Sequence, residues 1–256
     1  MKILVLIKQV PDDVVKVSLS DEKTPDIKNI EKIVNAMDTY AMEMAVREME
    51  ANGGEVVVAS IGDKDEIRPS LVQEIAVGAN RAYIGNLDVS GADEAALSAE
   101  LLSFIRKIEE QEGSAFDLIL TGKESTDEIS SQVGALLAEK LSVPFVSSAI
   151  GFTKTDAALI VKKETEEGYD VLETTLPAVL SVTKPEYDPR YPSLKNKMKA
   201  RKAEIPVIEL EKAENKVTLT GYDEPAKREA GVKIKEKEAQ DAVQKAMAIL
   251  KEARLV

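Results

Sequence analysis

Short, unbroken apolar runs alternate with helix-spaced segments through the first 150 residues of this chain. The runs at residues 3–7 (ILVLI), 56–61, 82–84, 118–121 and 145–147 show little alternation with polar residues, the pattern of strands covered on both faces. Between them, apolar residues recur at helical spacing over about 37–51, 66–77, 93–110 and 128–141. In the last segment Ile129, Val133, Leu136, Leu137 and Leu141 share one face. Met37, Met42, Met44 and Met49 read as core filler in the first helix. Strand–helix alternation of this kind predicts an α/β fold, a doubly wound parallel sheet with helices on both sides.

Beyond residue 150 the pattern changes. LIVKKETEEGYDVLETTLPAVLSV reads as two or three strands with polar turns, antiparallel additions to the sheet edge. Residues 183–207 carry four prolines and few apolar positions, so they build no core of their own. From about residue 235 helical spacing returns, with Val243, Ala246, Met247 and Leu250 on one stripe. The expected division is an α/β domain over residues 1–188 and an arm with a terminal helix over 189–256, the latter needing another surface.

Composition removes several kinds of chemistry. The chain has no cysteine, so disulfides, thiolate metal sites and cysteine nucleophiles are out. It has no histidine, the usual general base near neutral pH and the commonest metal ligand, so a Ser-His-Asp hydrolase is excluded too. Any hard chemistry then falls to a bound cofactor or a partner. A net charge of −12 argues against general nucleic-acid binding. No apolar run reaches about 18 residues, so no membrane insertion is expected. The opening MKILVLIKQVPDD reads as a first strand rather than a signal-peptide core, and a cytoplasmic location is the expectation.

The richest local signal is LILTGKESTDEISSQVGALLAEKL, residues 118–141, where a strand hands over to a helix. Ligands of open parallel sheets bind outside the carboxyl ends of the strands, and a helix start there offers free N–H groups to phosphates. Thr121, Gly122 and Lys123 supply a flexible backbone and a cation; Ser125, Thr126, Ser130 and Ser131 supply small hydroxyls; Gln132 has the reach for a phosphate or sugar, and Gly134 lets a ligand approach the helix closely. The plainer reading is that Thr126 or Asp127 caps the helix and the serines fill its first turn. Neither GxGxxG nor GxxxxGK[ST] occurs. A second strand end, VNAMDTYAMEMAVREME, places Asn35 and Asp38 at a helix start, where they either cap it or grip an adenine or ribose.

Taken together, these stretches resemble the beta subunit of electron transfer flavoproteins over nearly the whole chain. The resemblance rests on VLIKQVPD, VNAMDTYAMEMAVRE, SIGD, AVGANRAYIG, SGADEAAL, the residue 118–146 stretch and LPAVLSVTKP. PRYPSLKNKMKARKAEIPV is its most specific piece, because folding physics alone gives no reason for that string. Two departures stand out. Asp170 replaces the usual Glu or Gln in EEGYDVLETTLPAVLS, and Glu124-Ser125-Thr126-Asp127-Glu128-Ile129 replaces a Gln-Ala-Ile-Asp-acidic-acidic run.

The resemblance implies a Rossmann-like adenine-nucleotide site at several strand ends. It is made of Leu6, Asn35, Ala36, Met37, Asp38 and Ile61, with Gly122, Lys123, Glu124, Ser125, Thr126, Asp127, Glu128, Ile129, Ser130, Ser131, Gln132 and Val133 as the phosphate loop. In the family that site holds either structural AMP or a whole FAD. KQVPD and SGADEAAL resemble the anaerobic, electron-bifurcating members, which favours FAD. With FAD come NADH as electron donor, an alpha subunit in a heterodimer, a flavin-containing dehydrogenase, and ferredoxin as low-potential acceptor. Residues 90–94, with Asp93, are then expected beside the isoalloxazine; alternatively Ser90 and Asp93 form a capping box. Residues 190–202 hold six basic and no acidic residues, which suits an arm clasping the alpha subunit or a merely solvated segment. Leu194 falls where the family places its recognition leucine for partner dehydrogenases.

Two other classes compete. A stand-alone adenine-nucleotide sensor predicts a compact chain of roughly 140–160 residues. An ATP-pyrophosphatase predicts a Ser-Gly-Gly-x-Asp-Ser loop after the first strand, where this chain has Lys8-Gln9-Val10-Pro11.

Overall fold

A computed structural model describes residues 1–20, 24–227 and 230–256. Its strands are β1 (Lys2–Leu6), β2 (Gln9–Pro11), β3 (Lys32–Val34), β4 (Glu55–Gly62), β5 (Arg81–Asn86) and β6 (Leu118–Gly122), then β7 (Phe145–Lys154), β8 (Leu159–Thr165), β9 (Gly168–Thr174), β10 (Ala178–Val182) and β11 (Val207–Glu209). The helices are α1 (Ala36–Asn52), α2 (Lys64–Val77), α3 (Glu94–Glu112), α4 (Val133–Leu141), α5 (Leu194–Ala200) and α6 (Ala239–Glu252).

Nine strands form one sheet in the order β11-β5-β4-β1-β6-β10-β7-β8-β9. Every pairing from β11 across to β7 is parallel, and β8 and β9 add antiparallel at the edge. Both faces of the centre are apolar, as the unbroken runs predict. Ile3, Val5 and Ile7 join the core under α1 and α2 with Met42, Val46 and Leu71. Leu4 and Leu6 join the opposite core with Phe104 and Ile105 of α3 and Leu137 of α4. The chain lays β4 and β5 outward from β1, then returns to place β6 on the other side of β1. The strand order reverses there, so a crevice opens at the carboxyl ends of β1 and β6.

Four features depart from the sequence expectation. First, β10 is not an edge strand: it is inserted between β6 and β7, parallel to both and buried throughout. Second, α4 starts at Val133, not at 128; Ile129 has φ 52° and is 65% exposed, so it is no part of an apolar face. Third, the β2–β3 ribbon is new, made of strands too short to leave a periodic signal. Fourth, the stretch after residue 188 divides in two. Ile205, Ile208 and Leu210 are buried, and β11 pairs with β5, so part of the expected arm belongs to this chain's own sheet. The terminal helix α6, in contrast, buries none of its residues.

Candidate functional site

A cavity of about 120 Å³ occupies the crevice between the ends of β1 and β6. Of the residues singled out in the sequence, Leu6, Asn35, Asp38 and Ile61 line it, as do Gly122, Lys123, Glu124, Ser125, Glu128, Ser130, Ser131, Gln132 and Val133. Ala36, Met37, Asp93, Thr126, Asp127 and Ile129 do not. Thr121 and Gly134, also picked out by the sequence, line it too; the sequence reading missed Ile7 and Lys8, along with Val89, Leu97 and Leu101, which α3 and the turn before it contribute.

Asp38 is the hub that ties the two strand ends together. Its buried carboxylate accepts the Lys8 N–H at 2.7 Å on one oxygen and the Gly122 N–H at 2.8 Å on the other. Burial pushes this carboxyl up to about 7, against the opposing pull of those N–H groups, Asn35 and the Lys8 charge. Behind it sits a second buried acid, Glu74 of α2, raised to about 8 by burial and then by the Asp38 charge.

Asn35 stands at the N-cap position of α1 but makes no side-chain cap bond. Its amide instead reaches across to the loop after β6, donating to the Glu124 carbonyl at 2.9 Å and accepting the Thr126 N–H at 3.2 Å. Asn35 and Asp38 therefore serve the loop, not the helix start. Thr126 and Asp127 cannot cap α4, which begins at Val133; Asp127 pairs with Lys8 at 3.0 Å instead.

Two glycines set the tightness of this corner. A Cβ at position 122 would lie 2.3 Å from Asp38 Oδ1 and 2.8 Å from Met37 Cβ. One at 134 would lie 3.0 Å from Thr121 Oγ1 and 3.2 Å from the Phe145 ring. Gly134 thus lets the first turn of α4 press onto β6. That first turn is uncapped: Gln132 occupies the N-cap position without a side-chain bond, and Gln132, Val133 and Gly134 face the cavity. Ile129 and Ser131, at φ 52° and 56°, turn the chain into the helix.

An uncapped helix start with its N–H groups and dipole toward a cavity is suited to a phosphate group. Thr121 adds an independent sign. Its Oγ1 is buried at the cavity wall and has no hydrogen-bond partner among the described residues. An orphaned hydroxyl of this kind is costly unless something else satisfies it. The set of one orphan hydroxyl, free helix-start N–H groups, Lys123 and two glycine clearances fits the phosphate-bearing part of a nucleotide.

Asp93 serves a different purpose. It caps α3 by accepting the Ala96 N–H at 2.8 Å, and it also holds the N–H groups of Lys216 and Val217, strapping a later segment across the helix start. Ser90 bonds Asp88, not Asp93, so there is no capping box between them. The basic stretch is also partly committed: Arg190 binds Glu43 at 2.8 Å and Glu50 at 2.6 Å on α1. Leu194 and Met198 on α5 remain exposed, beside lysines that make no ion pairs among the described residues. Among the described residues no acid cluster is placed to hold a metal, and no helix is long and apolar enough to cross a membrane.

The relatives of this sequence belong to one family. The family model for the electron transfer flavoprotein domain matches residues 27–213. An electron transfer flavoprotein subunit beta of Syntrophomonas wolfei is 31% identical, covering 92% of this chain and 90% of its own length. The caffeyl-CoA reductase-Etf complex subunit CarD of Acetobacterium woodii is 34% identical, over 81% of this chain and 78% of its own. A Bacillus subtilis electron transfer flavoprotein subunit beta is 30% identical over the full length of both chains. A family match running from β3 through the loop after β6 and the basic arm to β11, together with these relatives, places this chain in the electron transfer flavoprotein family, among its beta subunits.

Proposed function

We propose that this chain binds an adenine nucleotide at the β1–β6 crevice, and that the nucleotide is FAD. The observation that carries the reading is the orphaned Thr121 hydroxyl beside the uncapped start of α4. Gln132, Val133 and Gly134 would present backbone N–H groups to the phosphates, and Lys123 would supply a positive charge. Leu6, Ile61, Leu97 and Leu101 form an apolar wall that keeps water from the buried side. FAD, when bound, supplies reversible electron uptake that a chain without histidine or cysteine lacks. The chain's own part is placement: Asp38 and Asn35 fix residues 122–126 through three hydrogen bonds, and Asp38 holds the Lys8 N–H with a fourth.

Around this site the reading sets an alpha subunit as heterodimer partner, a flavin-containing dehydrogenase as electron partner, NADH as donor and ferredoxin as low-potential acceptor. The named relative from a caffeyl-CoA reductase complex supports an assembly of that kind. The exposed Leu194 and Met198 of α5, flanked by lysines, and α6, none of whose residues is buried, are the surfaces for such partners in the cytoplasm. A second reading is structural AMP at the same site, the other occupant that the family resemblance implies. The sensor-module alternative falls away, because the family match extends through the basic arm to residue 213.

Ligand extraction from the complex co-purified with its partner subunit tests the reading. Two FAD and no AMP per heterodimer is the expected result. One FAD with one AMP transfers the site to the second reading, and no adenine compound at all ends both.

A further inference from the structure

The crevice poses a charge problem for any anion. Its lining sets two cations, Lys8 and Lys123, against three acids, Asp38, Glu124 and Glu128, with Asp127 adjacent through its ion pair to Lys8. An entering phosphate would meet like charge at short range, where repulsion is strongest. The local bonding accounts for two of these acids. Asp38 is buried and spends both oxygens on the N–H groups of Lys8 and Gly122. Glu124 accepts the Ser131 hydroxyl at 2.7 Å.

Asp127 and Glu128 remain, and one ammonium reaches both. Lys8 Nζ lies 3.0 Å from Asp127 Oδ1 and 3.0 Å from Glu128 Oε2, with Ser125 Oγ at 3.4 Å. The Lys8 backbone is pinned on both sides, its N–H on Asp38 and its carbonyl accepting the Asn35 N–H at 2.9 Å. The side chain therefore starts from a fixed point over the loop. Lys123 makes no ion pair among the described residues and is the cation left for a ligand.

Resting on the nucleotide reading above, we infer that Lys8 is a positioning residue that neutralises Asp127 and Glu128, and that this neutralisation admits a phosphate to an acidic loop. Lys8 acts through those two carboxylates and not by binding the ligand. An ammonium drawn off to the phosphate would leave both carboxylates uncompensated beside an anion, which is the less favourable arrangement. The site's affinity is thus set by a charge balance across residues 119 and 120 positions apart in the sequence.

The test uses the complex of this chain with its partner subunit, stripped of bound nucleotide and titrated calorimetrically with ADP-ribose, a diphosphate diester without a flavin. Lys8→Met should weaken binding roughly tenfold to a hundredfold at low salt. The deficit should shrink as salt rises, because repulsion between partly exposed charges is screened. Adding Asp127→Asn and Glu128→Gln to Lys8→Met should return affinity to within about threefold of the parent. The same two changes in the parent chain should tighten binding. That arm leaves Lys8 in place, so it decides the matter even where Lys8→Met fails to fold. Affinity that stays low in the triple variant, or a Lys8→Met deficit that salt does not touch, overturns the inference and gives Lys8 a direct or purely structural role. Binding that ignores Lys8 overturns this inference alone, whereas a parent complex that binds no ADP-ribose sinks the nucleotide reading beneath it.

Discussion

Gly122 and Asp38 meet with no room between them. The Gly122 N–H donates to Asp38 Oδ1 at 2.8 Å, and a Cβ on that glycine would stand 2.3 Å from the same oxygen. The contact joins the end of β6 to the start of α1 across the sheet edge. Because the Lys8 N–H takes the other carboxylate oxygen, one side chain sets the spacing of both strand ends that frame the crevice.

Gly122→Ala should therefore separate these two strand ends. Overpacking a tight contact costs about 1–3 kcal/mol. For a domain of this size that lowers the melting temperature by about 2–4 °C per kcal/mol. Nucleotide content of the purified complex should drop in parallel. A variant that keeps full nucleotide content and an unchanged melting temperature would show that the loop is not set by this contact.

Thr121→Val separates a binding role from a structural one. Valine keeps the shape of threonine and removes the buried hydroxyl that has no partner. Stability of the nucleotide-free complex should rise by about 1 kcal/mol, since an unsatisfied buried group disappears. Nucleotide affinity should fall about fivefold to tenfold, the worth of one hydrogen bond. Calorimetric titration reads the second effect, and an unchanged affinity would mean that the hydroxyl never meets the ligand.

The two buried acids give the protein a pH signature. Glu74 is raised from 4.5 to about 8 and Asp38 from 3.8 to about 7. Between the lower and the upper values the folded chain holds protons that the unfolded chain has released, so stability falls as pH rises through that window. Glu74→Gln removes the group with the higher of the two values. The melting temperature of Glu74→Gln relative to the parent should therefore climb steadily from pH 5 to pH 8. A difference that stays constant over that range contradicts the raised Glu74 carboxyl.

Much of this architecture is legible in the residue order. Unbroken runs such as ILVLI belong to strands because both faces of a central parallel strand must be apolar. The small, polar stretch after residue 120 lines the cavity at the sheet's carboxyl end. Ile129 shows the limit of periodicity. It falls at helical spacing before Val133, yet the backbone at Ile129 and Ser131 is left-handed, which ends any helix at that point. Likewise Ala178–Val182 reads as an edge strand by position and sits in the middle of the sheet, because strand order depends on which neighbour is nearest in space.

The amino-acid sequence by itself determined the alternation of strands and helices, the absence of histidine and cysteine chemistry, and the polar loop after β6, since each follows from local pattern or composition. Only the tertiary structure decided that Asp38 and Asn35 serve the loop after β6 and not the helix they begin. It also brought Lys8 to Asp127 and Glu128, and Leu97 and Leu101 to the cavity wall. These are pairings between distant segments, and a hydrogen bond or ion pair of that kind has no spacing in the chain; it exists only once the sheet has ordered its strands.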